Sequence, residues 1–153
     1  MKKLDKINRL ILNKLQENSS ITNAELAEQL NIPATTVFDR VKKLEQNGVI
    51  SKRVALVNPE KIGKETIAFV SLSMVSHTLK NLQKFWKAIE DIPEILECYH
   101  IAGESDFILK VITDNIGSYE KLLFEKLTSI ENMGKIKTSF VMSSINYQTK
   151  LPV

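Results

Sequence analysis

A single cysteine, Cys98, excludes an internal disulfide, and only two histidines, His77 and His100, exclude a histidine-rich metal cage. Such sparing cysteine use points to a reducing, cytoplasmic setting. No apolar run reaches the ~18 residues of a membrane-crossing helix, so no membrane partner is expected. The charged start (Lys2, Lys3, Asp5, Lys6, Arg9) lacks the apolar core of a secretory signal. Glycine-rich phosphate loops, a nucleophile elbow and paired carboxylates with an acid–base role are all missing, so no catalytic residue and no cofactor is expected. Cys98 and His100 stand two apart on one expected strand and share a face. Two ligands are too few for a structural zinc site, so the expectation is a buried thiol, a partly exposed imidazole and no metal.

What is present is globular. The 153 residues, 43% hydrophobic and 25% charged, suit one ordinary domain or two small ones. The net charge of +3 is unevenly divided. Residues 1–57 hold ten Lys/Arg against six Asp/Glu, and residues 58–153 hold eleven against twelve. All three arginines (Arg9, Arg40, Arg53) lie in the first part, which suggests a polyanion partner for that segment.

Three helices are expected in residues 1–50. Leu4, Ile7, Ile11, Leu12 and Leu15 recur at helical spacing up to Asn18-Ser19-Ser20. Thr22 or Asn23 can cap a second helix with apolar face Ala24, Leu26, Ala27 and Leu30, and Glu25 completes a capping box with Thr22. A third starts near Pro33, a residue favoured at the first helical position, and runs through Val37, Val41 and Leu44 to a glycine cap at Gly48. Alternation over Val49, Ile50, Val54 and Leu56 then reads as a strand bearing Ser51-Lys52-Arg53, with a hinge through residues 51–65. In residues 66–153 the pattern gives a strand at 66–74, a helix at 82–89 with Leu82, Phe85, Trp86 and Ile89 inward, and strands at 95–101 and 107–113. A helix at 118–130 capped by Ser118, with Tyr119, Leu122, Leu123 and Leu127 inward, and a strand at 136–145 follow. The fold class is therefore α+β, a helix-turn-helix (winged-helix-like) domain followed by a ferredoxin-like βαββαβ domain.

Two short helices with a tight turn, the second flanked by basic residues, describe a helix-turn-helix. With Val37, Val41 and Leu44 inward, Thr35, Asp39, Lys42, Lys43 and Gln46 turn outward, and Thr36 and Phe38 flank them. A helix ~10–12 Å across fits a major groove ~12 Å wide. The candidate DNA-binding residues are Thr35, Thr36, Phe38, Asp39, Arg40, Lys42, Lys43, Lys52 and Arg53. Lysines suit phosphates, threonines suit phosphates or base edges, and Phe38 suits a thymine methyl. Asp39 would repel phosphate unless it accepts from a cytosine amino group or pairs with Lys42 or Lys43. Arg40 lies beside the buried stripe, where an ion pair and a phosphate contact are equally open.

The order of elements and several motifs resemble the leucine- and asparagine-responsive (Lrp/AsnC) family of feast/famine transcription regulators, over nearly the whole chain. The carriers are Leu4-Asp5, Ile11-Leu12, Glu25-Leu26-Ala27, Thr36-Val37, Arg40-Val41, Leu44-Glu45 and Gly48-Val49-Ile50. Asn58-Pro59, Ile62-Gly63, Ala68-Phe69-Val70, Glu97-Cys98, Gly103-Glu104 and Asp106-Phe107-Ile108-Leu109 follow in the same order. The resemblance implies a regulator that binds pseudo-palindromic double-stranded DNA and self-assembles as a dimer, then a tetramer or octamer, through its βαββαβ domain. It also implies an amino-acid effector between subunits, lined here by Ile101, Ala102, Gly103, Glu104, Ser105, Asp106, Thr138 and Ser139. Backbone amides near Gly103 would take a carboxylate and Asp106 would balance an ammonium. Pro33, Asn8, Ala102, Asn146 and Met133-Gly134 depart from the family's usual residues, and Ala102 removes a hydroxyl from the implied pocket. The competing function is an amino-acid-sensing, oligomeric interaction module without specific DNA binding.

Overall fold

The computed structural model describes residues 4–153, so Lys2 and Lys3 lie outside it. The chain divides into two compact units. One runs to Leu56 and includes Asn146–Val153; the other is Val57–Ile145.

The first unit packs three helices around Ile11, Leu12, Leu15, Ile21, Leu26, Ala27, Val37, Val41 and Leu44. Helix α1 (Lys6–Glu17) starts where the Asp5 carboxylate accepts the Asn8 amide at 2.8 Å. Helix α2 (Asn23–Leu30) has the full capping box: Thr22 Oγ1 accepts the Glu25 amide and Glu25 Oε2 accepts the Thr22 amide. Asn31, in the left-handed region at φ 53°, ends it within one residue. Helix α3 (Ala34–Gln46) buries Val37, Val41 and Leu44. Gly48 follows at φ +69°, and the Val49 amide reaches back to the Leu44 carbonyl at 2.9 Å.

Three expectations change here. Ala24 is exposed, because Leu26 and Ala27 already supply α2's short inward stripe. Pro33 precedes α3 rather than opening it. The strand expected at Val49–Leu56 does not form. Alternation sets which side chains share a face, but a strand needs a ladder partner, and none is present for this run among the described residues. Its Val54 and Leu56 stand exposed.

The second unit is a four-stranded antiparallel sheet in the order β2-β3-β1-β4, built from β1 (Thr66–Met74), β2 (Ile95–His100), β3 (Phe107–Thr113) and β4 (Met133–Phe140). Helices α4 (Leu79–Glu90) and α5 (Ile116–Leu122) make it the βαββαβ arrangement. Alternation places Ala68, Val70, Leu72 and Met74 of β1 and Phe107, Leu109 and Val111 of β3 in one core, with Phe85 and Ile89 of α4 and Tyr119 and Leu122 of α5. The Phe85 and Phe107 rings meet at 4.4 Å. On the opposite face of the sheet, Phe69 and Tyr99 are exposed and Ile67, Ile108 and Ile112 are half-buried.

Trp86, expected inward, is exposed: adjacent helix positions diverge by about 100°, and Phe85 takes the buried one. Ser118 is not the cap of α5. Asn115 is, with its Oδ1 accepting the Ser118 amide at 2.9 Å. The helix expected to 130 stays α-helical only to Leu122 and continues as a wider π turn, Leu123–Leu127. The second strand ends at His100, and the last one covers Met133–Phe140 rather than 136–145.

Candidate nucleic-acid interface and effector loop

Helix α3 buries its apolar stripe and turns Thr35, Phe38, Asp39, Lys42 and Lys43 to solvent, with Thr36 half-buried at the edge. The candidate DNA-binding cations fall into two groups. Lys42, Lys43 and Lys52 are exposed and form no ion pair with any described residue. Arg40 and Arg53 are tied down. Arg40 Nη1 donates to Asp5 Oδ2 at 2.6 Å and to Asn8 Oδ1 at 2.9 Å, joining α3 to the first turn of α1. The guanidinium beside Asp5, helped by the Asn8 amide, holds that carboxyl below its ordinary range. Arg53 Nη2 donates to Glu45 Oε1 at 2.9 Å. Asp39 pairs with neither Lys42 nor Lys43, so both lysines keep their full charge toward solvent. Of the nine candidate residues, the geometry gathers Thr35, Thr36, Phe38, Asp39, Lys42 and Lys43 on one helix and gives Arg40 an internal task.

In the sheet unit, the turn from Ile101 to Asp106 closes on itself, the Ile101 amide donating to the Asp106 carbonyl at 2.8 Å. Gly103 sits at φ +154°, at the edge of the region where a side chain is strained. Asp106 anchors the turn to the end of β1. Its amide donates to the Leu72 carbonyl, its Oδ2 accepts the Met74 amide at 2.7 Å, and its Oδ1 faces His77 Nε2 at 2.8 Å. The Met74 amide first, and then His77, hold the Asp106 carboxyl below its ordinary range. Both carboxylate oxygens therefore already have partners, and an ammonium at this site would have to share them. Ala102, Gly103 and Glu104 are exposed.

Thr138 and Ser139 sit on opposite faces of β4. Thr138, opposite Val70, points to the helix side, where its hydroxyl is hydrogen-bonded to the Tyr119 hydroxyl. Ser139, opposite Phe69, lies on the uncovered face. Two of the hollows in this unit lie against α4. One of about 450 Å³ lies between α4 and the end of the π turn (Lys84, Ala88, Ile92, Lys126, Ile130), and one of about 380 Å³ between α4 and β2 (Trp86, Ile89, Leu96, Cys98, His100). Neither is lined by the Ile101–Asp106 turn, Thr138 or Ser139. Cys98 is exposed rather than buried, since β2 is an edge strand, and His100 stacks on Phe107 at 4.8 Å. Among the described residues no group of three His, Cys, Asp or Glu is placed to hold a metal ion.

Residues 4–51 match the winged helix-turn-helix DNA-binding family, and residues 67–151 match the Lrp/AsnC ligand binding domain. The chain belongs to the Lrp/AsnC family. It is similar to the DNA-binding transcriptional activator DecR of Escherichia coli K12, at 33% identity over 150 residues that cover 98% of this chain and 99% of that protein. The crystal structure of an AsnC family transcriptional regulator from Agrobacterium tumefaciens matches with a TM-score of 0.92 at 34% identity, over 97% of each chain. The L-Met complex of a transcriptional regulator from Neisseria meningitidis matches with a TM-score of 0.93 at 29% identity, over 98% of this chain and 97% of that one. This Lrp/AsnC protein is thus a DNA-binding transcription regulator and not an enzyme. No helix among its described residues is long and apolar enough to cross a membrane.

Two features of this Lrp/AsnC chain escape sequence reasoning. His77, the partner of Asp106, lies 29 positions before it with no local pattern to join them. Residues 146–153 lie with the helices of the first unit, while the Lrp/AsnC ligand binding domain match runs on to residue 151.

Proposed function

We propose that this regulator reads double-stranded DNA with α3, placing Lys42, Lys43 and Lys52 on phosphates and Thr35, Thr36 and Phe38 toward base edges. The observation that carries this is the division of cations. Lys42, Lys43 and Lys52 are exposed and form no ion pair with a described residue, whereas Arg40 is consumed in holding α3 to α1. Charges available to solvent are the ones that can displace counterions from a phosphate backbone. Asp39 accepts from a cytosine amino group, which turns its repulsion of phosphates into a sequence preference.

Self-association supplies the second recognition helix. A two-fold dimer would place two copies of α3 about 34 Å apart, one DNA turn, on a pseudo-palindromic operator. The uncovered sheet face, with Phe69 and Tyr99 exposed, supports a second copy as its cover, and larger assemblies such as tetramers or octamers build on that dimer. An amino-acid effector then sits at the Ile101–Asp106 turn, with a second copy closing the site; the two hollows beside α4 do not reach this turn. The relative crystallised with L-Met supports that class of ligand. The protein acts in the cytoplasm, where operator DNA is found.

Fluorescence anisotropy on DNA selected from a random pool, against scrambled competitor at physiological salt, tests the reading. Specific binding at least ~10³-fold tighter than to competitor is expected, with one amino acid shifting it. Equal affinity for both DNAs would refute sequence-specific regulation by α3. Indifference to every amino acid would refute the effector assignment.

A further inference from the structure

The helical unit is made from two separate stretches of chain, and the second is held by specific bonds. The Leu151 backbone and the Gln16 carboxamide are paired in both directions. The Leu151 amide donates to Gln16 Oε1 at 2.7 Å, and Gln16 Nε2 donates to the Leu151 carbonyl at 3.1 Å. This two-bond ring fixes the rotation of the carboxamide and the register of the tail together. Beside it, Lys150 Nζ donates to Glu17 Oε1 at 2.5 Å. The last two residues of α1 are therefore the dock of the tail.

The other end of α1 is gripped by the recognition helix through Arg40, on Asp5 and Asn8. Between the two grips, Ile11, Leu12 and Leu15 pack in the same core as Val37, Val41 and Leu44. A helix held at both ends and wedged along its length moves as one body, because close-packed cores do not deform continuously. In the chain the tail follows the sheet unit, whose last strand ends at Phe140 and whose last residue is Ile145.

We infer that residues 146–153 are a strap that completes the DNA-binding unit and, through α1, positions α3. Gln16, Glu17 and Lys150 are its positioning residues. The strap offers the sheet unit a grip on the recognition helix that does not pass through the hinge at residues 51–65. For its DNA readout the inference rests on α3 being the reader; its first readout needs no DNA.

Amide hydrogen exchange on the full chain without DNA tests the strap directly, with Gln16→Ala, Glu17→Lys, Lys150→Glu and the charge-swapped double variant. Each single change is expected to speed exchange by about threefold or more in the last turn of α1 and in the first turns of α3, leaving β1 and β3 as protected as before. The double variant is expected to restore protection, incompletely because Lys14 lies 4.0 Å from Glu17 and would repel a lysine there. Anisotropy supplies the second readout. Glu17→Lys makes the unit more basic, so general electrostatics would tighten its DNA binding; the strap requires it to weaken binding instead. Unchanged exchange in α1 after all three single substitutions would overturn the inference. So would faster exchange confined to α1 with α3 and DNA affinity unaltered, which would leave the tail a local clamp. If the unaltered protein binds no DNA while the exchange pattern follows the charge swap, the reading of α3 fails and the strap stands.

Discussion

Removal of Lys42, Lys43 and Lys52 together should change how DNA binding responds to salt, and the size of the change can be worked out from the ion pairs. These three ammonium groups have no carboxylate partner among the described residues, so each brings a whole charge to the DNA. Each phosphate neutralised contributes roughly 0.9 to the slope of log K against log salt, so the triple alanine variant should flatten the slope by about 2.7 per protomer bound. Between 50 and 200 mM salt, a slope of that size is a loss of about 40-fold per protomer that the wild type shows and the variant does not. Arg40→Ala is the control. Its guanidinium already lies on Asp5 and Asn8, so the slope should change by less than about 0.5 while the melting temperature falls, because α1 and α3 lose their link. The assay is anisotropy with labelled operator at four salt concentrations, beside a melting curve for each variant. A triple variant with the wild-type slope, or an Arg40 variant with a flattened one, would refute the division of cations and with it the docking face.

Thr22→Ala should destabilise the protein by about 1 kcal/mol in urea unfolding, since it removes the hydroxyl that accepts the Glu25 amide and donates to Glu25 Oε2, leaving only the backbone half of the capping box at α2. Phe69→Lys, on the uncovered face, should shift sedimentation toward the monomer with an unchanged circular dichroism spectrum; a dimer of unaltered stability would place the interface elsewhere. Asp106 carries a pH dependence of fixed sign. Its folded carboxyl titrates below the unfolded value of about 3.9, so its stabilisation is complete above that value and is lost as pH falls through the lower, folded one. Wild type should therefore lose more of its melting temperature than Asp106→Asn on acidification from about pH 5 to pH 2, and equal losses would show that the Met74 and His77 bonds do not stabilise the turn.

Strands β1 and β3 are legible to the residue because strict alternation leaves only one register that buries Val70, Leu72, Leu109 and Val111. The capping box at Thr22 is equally legible, since its two partners are three positions apart. What escapes is whatever depends on a partner distant in sequence. The run Val49–Leu56 alternates like a strand, yet alternation cannot supply a neighbour. At α5, Asn115 and Ser118 are both good caps, and the choice follows from where β3 ends, not from residue type. The outward face of α3 follows from 3.6-residue periodicity alone. That Arg40 belongs to the fold and Lys42 to the surface follows only once Asp5 and Asn8 are seen beside the guanidinium.

Three features of the single chain point to the same remedy. A recognition helix of thirteen residues, Ala34–Gln46, shows one short stripe to a groove and reads too few base pairs to single out an operator. The sheet buries one face and leaves Phe69 and Tyr99 of the other in solvent, and residues 51–57 carry Val54, Leu56 and Val57 exposed with no ladder partner among the described residues. The Ile101–Asp106 turn, the proposed effector site, lines neither of the two hollows beside α4. A two-fold related copy answers all three at once, because an isologous contact sets each exposed patch against its own counterpart and doubles the reading helix in the same step. The dimer and the DNA reader are for that reason one proposal. Charges on the sheet face should weaken operator binding as much as they weaken self-association, even though no residue of that face touches DNA.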